Sequence, residues 1–581
     1  MFVFIVSFII IFKSIFGEGN TLVGVTVITT ALVLMERDLT PAPLRNFMKV
    51  LAANLFTLIF SILAIQNPWS GIIFNFIALF TIGYLFSYNL KKSIVVPFGL
   101  QYIFMLFYPV EGNVLFNRLL ALIFGSVFIM LLQFIVNKDK ILKTGNKIID
   151  NIMSNILLKI KAIQSNNDFD KESATIIEGI NNLKKVIYDR RVNNYHLTND
   201  AVIATNILWS LEKINILLDS IGNSGNKEEC KKLLDDVYNN ISVIKNGEFE
   251  LSDVEAILEH GVGSSKIGIW DIESYIKDVD KEYVNEFINL LNILMKEVNE
   301  MKLLGNKPKY FVNNNHEIPE HFNRVTVHKR SLQVDSAKFR YAIRLGVVGT
   351  ITAFFAQYFN LSEGRWLSLT IFSLIQPYME ISNTRAKDRV QGTIIGGLIV
   401  LISFAFIKNQ VARTVMILSA GYIDSYTKTY RDKIICVTVS AVASAAIMGH
   451  ANILVLERVI FIVIGALLTV IANKYILPYK IKDMGNYLVE TYNLLIKQME
   501  DDIKEEHSHH SMRNLYLITA LIEEKAKLFT NEENKVDLLD FLNNKRNIVN
   551  NVYGNYFWEK VIGEIQYDTS IDDICSNIEC N

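Results

Sequence analysis

Two sets of arginines carry the chemistry most readily read from this chain. Arg385 and Arg389 lie one helical turn apart where an apolar segment begins, and Gly392 and Gly396 continue the same stripe. Arg118 and Arg458 each open an apolar segment ahead of a glycine, Gly125 and Gly465. Fixed positive charge at the mouth of a membrane segment raises the local concentration of anions, so these residues could collect or pass an anionic solute. A plainer reading stands beside it. Basic residues anchor the inner ends of membrane helices, an arginine near an outer end can snorkel to the interface, and small residues four apart let two helix backbones approach.

The elements that would position them repeat. At an offset of 340 residues, Arg45 matches Arg385, Arg118 matches Arg458, Gly125 matches Gly465, and Asn20, Gly24 and Thr30 match Asn360, Gly364 and Thr370. Lys49 stands where the second copy has Arg389. Six apolar segments fall in each copy: near 1–16, 21–35, 44–65, 71–88, 93–110 and 115–137, then 341–359, 364–379, 390–407, 411–427, 433–448 and 453–477. Several are at or below the ~17–20 residues that a spanning helix needs. The short segments 21–35 and 364–379 carry Thr26, Thr29 and Thr30, and Ser368, Thr370 and Ser373. Short segments at matching places in two repeats point to a central site.

Composition has two phases. The 581 residues are 51% hydrophobic, yet 138–339 and 478–581 are rich in Lys, Glu, Asp and Asn. The expected organisation is a first membrane repeat (1–137), a cytoplasmic helical region (138–339), a second membrane repeat (340–477) and a C-terminal cytoplasmic helical region (478–581). The fold class is all-α, a multi-pass membrane protein with two parallel repeats of about six spans. Arg37, Arg45, Lys49, Lys91, Lys92, Lys138 and Lys140 fall on alternate connections, and the others in the first half lack Lys and Arg. That asymmetry places the N-terminus, 138–339 and the C-terminus in the cytoplasm, at the plasma membrane. Arg365, Lys408 and Arg413 are exceptions. Phe2–Phe12 reads as an uncleaved first span, since no basic lead precedes it and no small-residue cleavage pattern follows. Three- and four-residue apolar spacing at Ile148–Ile163, Ala201–Leu218 and Val284–Leu304 predicts helices. Loop signals separate them, including Gly222–Gly225 and Gly261–Ser265. Stripes such as Ile156, Ile160 and Ile163 need burial, against each other or in a homo-oligomer.

Several chemistries find no support. His507-Ser508-His509-His510 after Glu505-Glu506 has zinc-ligand types but no second cluster, so no metal is expected. Cys230, Cys436, Cys575 and Cys580 give no disulfide framework. Neither a phosphate-cradling Gly-Lys loop nor a nucleophile–base set is present. The chain is read as no enzyme, with no cofactor. The net charge of −1 gives no reason to expect a nucleic-acid partner. Glu36, Asp38, Glu380 and Asp424 are the carboxylates placed to relay protons, and a solvated inner-end carboxylate is the plainer reading of each.

The stretch Gly364–Ile399 holds Trp366 before a short span, Pro377 near its inner end, then Arg385, then Arg389-x-x-Gly392-Thr393-x-x-Gly396. This ordered set resembles the fusaric acid resistance protein-like family, with its aromatic acid exporters and plant aluminium-activated malate transporters. The two-block layout resembles the bacterial members along the whole chain. The first copy departs from the pattern, with Arg37 for Pro377 and Ala52 for Gly392. The resemblance implies a gradient-driven exporter of small organic anions such as aromatic carboxylates, with the bilayer and the anion as partners. A passive anion channel and a membrane scaffold or sensor are the alternatives. On this reading the substrate path runs past Arg385, Arg389, Arg45, Lys49, Arg118 and Arg458.

Overall fold

The computed structural model describes residues 2–86, 94–192, 195–223, 230–247, 281–304, 322, 336–361, 364–407, 409–446, 451–504, 509–526 and 535–558. Lys91, Lys92, Gly261–Ser265, Lys408, His507, Cys575 and Cys580 lie outside the described residues. Within them the chain is helical, and the only extended pairing is an isolated bridge between Val192 and His196. It divides into two compact units, Met1–Glu36 with Ala42–Val136 and Arg324–Asp483, and Arg37–Pro41 with Asn137–Asn323 and Met484–Asn581.

The first unit holds α1 (Phe2–Phe16), α2 (Thr21–Leu34), α3 (Pro43–Ile65), α4 (Pro68–Phe86), α5 (Val95–Phe107) and α6 (Gly112–Val136). In the second unit come α7 (Asn146–Gln164), α8 (Asp170–Asp189), α9 (Asn199–Asn223), α10 (Lys231–Asn246) and α11 (Lys281–Leu304). The first unit resumes with α12 (Ala337–Tyr358), α13 (Arg365–Leu374), α14 (Met379–Phe406), α15 (Gln410–Asp424), α16 (Tyr430–Ala446) and α17 (Ala451–Tyr475). Then α18 (Ile481–Lys504) leads into the second unit with α19 (His509–Ala526) and α20 (Lys535–Tyr556).

Local sequence explains the ends. Pro43 opens α3, where a missing N–H costs nothing. The Asn409 side chain accepts from the Val411 amide and caps α15. Asn360 takes a left-handed φ of 47° after α12, a conformation asparagine tolerates better than most residues. The 364–379 segment is not one helix. α13 stops at Leu374, Ile375 and Tyr378 are extended, and Pro377 lies in the gap. Proline disfavours helical geometry at the residue before it. The following helix begins at Met379, so Arg385 and Arg389 stand inside α14 rather than ahead of it.

Among the described residues, seven helices are long and apolar enough to cross a membrane: α3, α4, α6, α9, α12, α14 and the Leu456–Tyr475 part of α17. Of these, α9 is the core helix of the second unit. Residues on all its sides are buried, it packs on α7, α8, α11 and α20, and its Asp200 and Glu212 make ion pairs within that unit. In the first unit α4 packs along α12, and α13 packs on α5, α12 and α17.

The second unit buries Ile156, Ile160 and Ile163, and Trp209 stacks on Phe557 beside Tyr553. Several of its buried charges are paired. Lys184 bonds Glu212 at 2.8 Å, and Arg546 bonds Glu523 at 2.7 Å. Tyr516 donates to Glu212, and Asn181 donates to Glu523. Burial pushes Glu523 up, but Arg546, Lys184 and Asn181 outweigh it and hold the carboxyl below its usual range. Arg190 sits between Asp38 at 2.7 Å and Asp200 at 2.9 Å.

Candidate functional site

Arg118 of α6 is buried, and its three donor groups are all used. Nε donates to Asn20 Oδ1, Nη1 to the Tyr108 carbonyl and Nη2 to the Gly19 carbonyl, each at 2.9 Å. It ties three chain turns together through neutral acceptors. Its counterpart Arg458 is also buried, and its guanidinium lies 3.8 Å over the Trp366 ring. The cation–π geometry gives Trp366 a partner within the chain. The carbonyl of Pro377, another residue of the motif, accepts a hydrogen bond from an arginine of α12 described below.

Arg385 is half-buried with its guanidinium 5.3 Å from the Tyr430 ring. Arg389, one turn on, is buried and its Nε has no hydrogen-bond partner among the described residues. Gly392 and Gly396 let α14 approach α16. A methyl at Gly392 would stand 2.9 Å from the Arg431 carbonyl, and one at Gly396 would stand 2.8 Å from Thr438 Cβ. Thr393 is buried with its hydroxyl unpartnered among the described residues. On α3, Arg45 is half-buried and Lys49 exposed. α3 packs on α4, α5 and α6, whereas α14 packs on α16 and α17. Arg45 and Lys49 therefore belong to one bundle of helices, and Arg385 and Arg389 to another.

Of the carboxylates, Glu36 is exposed. Glu380 accepts the Ile481 amide at 3.1 Å, and Asp38 is held by Arg190 in the second unit. Residues 505–508 are outside the described set, and among the described residues no group could hold a metal ion.

One residue was missed. Arg344 of α12 is fully buried. Its guanidinium donates to Asn473 Oδ1 at 3.1 Å and to the carbonyls of Gln376 at 3.2 Å and Pro377 at 2.6 Å. It thus seats on the frayed C-terminal end of α13, where helix carbonyls carry partial negative charge. Asn473 in turn donates to Ser382 Oγ at 2.7 Å, which donates to the Leu374 carbonyl at 2.6 Å. An arginine four residues into an apolar segment was the available signal, masked by the basic lead-in Lys338 and Arg340.

The two membrane halves differ inside. In the first, Gln101 donates to Asn54 at 3.1 Å and Thr57 at 2.7 Å, Asn54 donates to Ser126 at 2.9 Å, and Thr26 donates to Gln101 at 3.3 Å. Those five buried side chains satisfy one another. In the second half Ser368, Thr370, Thr393 and Thr438 are buried with hydroxyls unpartnered among the described residues.

Helices of this length and apolarity, with buried arginines resting on carbonyl dipoles, define an integral membrane protein of the multi-pass helical class. Residues 351–472 match the family model described as fusaric acid resistance protein-like, which places the resemblance on α12–α17. The chain is similar to uncharacterized protein ORF2 of Neisseria gonorrhoeae, 26% identical over 152 residues, covering 25% of this chain and 36% of that one. It is also similar to the inner membrane protein YccS of Escherichia coli (strain K12), 22% identical over 192 residues, covering 32% and 27%. A third relative, slr1298 of Synechocystis, is 24% identical over 134 residues, covering 22% and 18%. The matches thus span about a third or less of these relatives' own lengths. No solved structure matches.

Proposed function

We propose that this protein moves small organic anions, such as aromatic carboxylates, out of the cell across the plasma membrane. The observation that carries this reading is positive charge kept inside a membrane-spanning unit on neutral partners: among the described residues Arg344 bonds an amide oxygen and carbonyls. An arginine in a membrane interior is costly and marks ion or substrate pathways. The fusaric acid resistance protein-like match over 351–472 supports an efflux role.

The test is flux of labelled benzoate from proteoliposomes holding the full chain. Faster release than from protein-free vesicles is expected. Release no faster than from protein-free vesicles would remove the reading, and equal release for benzoate and for aliphatic carboxylates would remove the aromatic preference. A passive channel is the second reading, and the carboxylates divide on it, since Asp424 has an Oδ1 buried without a partner among the described residues whereas two others are ordinary. Glu36 is solvated and Glu380 is engaged by the Ile481 amide, so neither is set up as a proton relay. Release that follows the anion gradient alone, unchanged by an imposed proton gradient, would favour the channel.

A further inference from the structure

We infer that the ring of a small aromatic acid is held midway through the membrane unit, in a cavity between its two halves, with the Ser368 hydroxyl as the buried donor to the acid. The inference rests on the organic-anion reading and names where such an anion sits. The first half walls the cavity with Leu79 of α4 and Tyr102 of α5. The second half walls it with Gly349 and Ala353 of α12 and with Ser368 and Phe372 of α13.

Glycine contacts set the register of these walls. Gly83 of α4 lies against Leu345, Leu79 against Gly349, and Gly71 against Gln357, so α4 and α12 run antiparallel. Gly364, just ahead of α13, lies against Ala356, so α13 folds back along α12. Leu79, Tyr102 and Gly349 each stand near the middle of their helix. The cavity is therefore at mid-height. A place at mid-height, between two halves and beside a discontinuous helix, is where many carriers hold their solute. α13 is such a helix, ending at Leu374 before the extended Ile375 and Tyr378.

The walls choose the ligand. Gly349 and Ala353 lie one helical turn apart and leave a low strip on α12, against which the face of a ring can lie. Tyr102 and Phe372 bring aromatic rings from the two halves, and ring pairs prefer offset or edge-to-face contact. Ser368 is buried, and its hydroxyl has no hydrogen-bond partner among the described residues, so its proton is available to a carboxylate. The Tyr102 hydroxyl donates to Asn75 Oδ1 at 2.6 Å, which fixes that ring as a wall. Arg344 directly precedes Leu345, another lining residue, and its charge on neutral partners favours an anion nearby. The cavity measures about 10 Å³, room for about one water molecule. The Phe372 ring, packed on Gly99, fills the adjoining space, so the acid's ring takes the place that Phe372 gives up as α13 shifts. At an offset of 340 residues, Ile28, Val415 and Val442 stand for Ser368, Asn75 and Tyr102. None of them offers a hydroxyl or an amide, and one site per chain follows.

The test uses the purified full chain, with benzoate and acetate as probes, read as ligand-dependent shifts in melting temperature. Benzoate flux in proteoliposomes is measured in parallel. One equivalent of benzoate should bind per chain, and acetate should bind more weakly. Ser368→Ala removes an unpartnered hydroxyl, so its ligand-free melting temperature should equal or exceed that of the wild type while benzoate affinity falls about fivefold. Ala353→Val narrows the place of the ring and should weaken benzoate about tenfold, whereas Ile28→Val should leave benzoate affinity unchanged. Wild-type benzoate affinity in both Ser368→Ala and Ala353→Val would overturn the site, and so would equal affinity for acetate and benzoate. Benzoate binding that depends on Ser368 and Ala353 without any flux would sink the transport reading and leave the site standing. Wild-type flux in both variants would sink the site and leave transport standing.

Discussion

The arginines that look alike in the chain separate once their partners are named. Arg118 has its donors spent on Asn20, Gly19 and Tyr108, so it acts as a tie. Arg118→Gln leaves two part-buried carbonyls short of a donor, at about 1 kcal/mol each. Lower melting temperature with unchanged flux per folded molecule is the expected result, and flux falling in step with an intact melting temperature would contradict it. Arg344→Gln should behave differently, because the carbonyls it holds form the link from α13 to α14 within the family-matching stretch, so its loss should lower stability and flux together. Glu297 of α11 offers a pH test in the second unit. Burial pushes its carboxyl up to about 7, opposed by the hydrogen bond from Asn206. A folded-state value above the unfolded one means the folded chain binds the extra proton. Stability is therefore full below about pH 4.5 and falls as pH rises to about 7, by about 3 kcal/mol at most. Glu297→Gln should flatten that slope in denaturant titrations run across the same range. At this scale the motif residues were legible because charge and glycine spacing are written in the chain. Arg344, the amide network of Asn54 and Gln101, and the Trp366–Arg458 stack were not, since each depends on which helices meet.

Helix boundaries in the second half follow those in the first. α6 and α17 are Gly112–Val136 and Ala451–Tyr475, and α3 and α4 are mirrored by α14 and α15 at the 340-residue offset, within four residues at each end. The apolar segments marked all of these because length and hydropathy are local properties. The break at Ile375–Tyr378 was half legible: Pro377 flagged a disturbance, but the extended link and the Arg344 seat on its carbonyls need tertiary contact. α9 shows the converse, a helix apolar enough for a span that lies in the core of the second unit. The packing of α5 on α13 gives the sharpest test at this level. A methyl on Gly99 would overlap Phe372, 1.8 Å from its ring. Gly99→Ala should cost about 1–3 kcal/mol by overpacking, and Phe372→Leu in the same chain should recover much of it. Additive losses in the double variant would show that the two helices do not meet there.

Each compact unit is assembled from separated stretches of chain. The first is interrupted by about two hundred residues, and the second draws on Arg37–Pro41, Asn137–Asn323 and Met484–Asn581. Composition marked the alternation of apolar and polar blocks, but not that the short segment holding Asp38 belongs with the polar ones, because its partner Arg190 is 152 positions away. Glu523→Gln should destabilise the second unit by about 3–5 kcal/mol, since Arg546 and Lys184 would lose a buried partner. Asp38→Asn should do likewise through Arg190. Circular dichroism melts of the full chain check both, and a wild-type transition in either would refute the buried pairing. The pairing also sets a schedule for synthesis. Asn181 leaves the ribosome 342 residues before Glu523. At ~5–20 residues per second, Lys184 and Glu212 wait roughly 15–70 s for Thr519 and Tyr516. Throughout that interval the second membrane half is being made and inserted, while the half-built helical core stands open. A chain stalled or cut before α19 presents that core to chaperones and proteases, so quality control can register completion of the last helices as completion of the whole molecule.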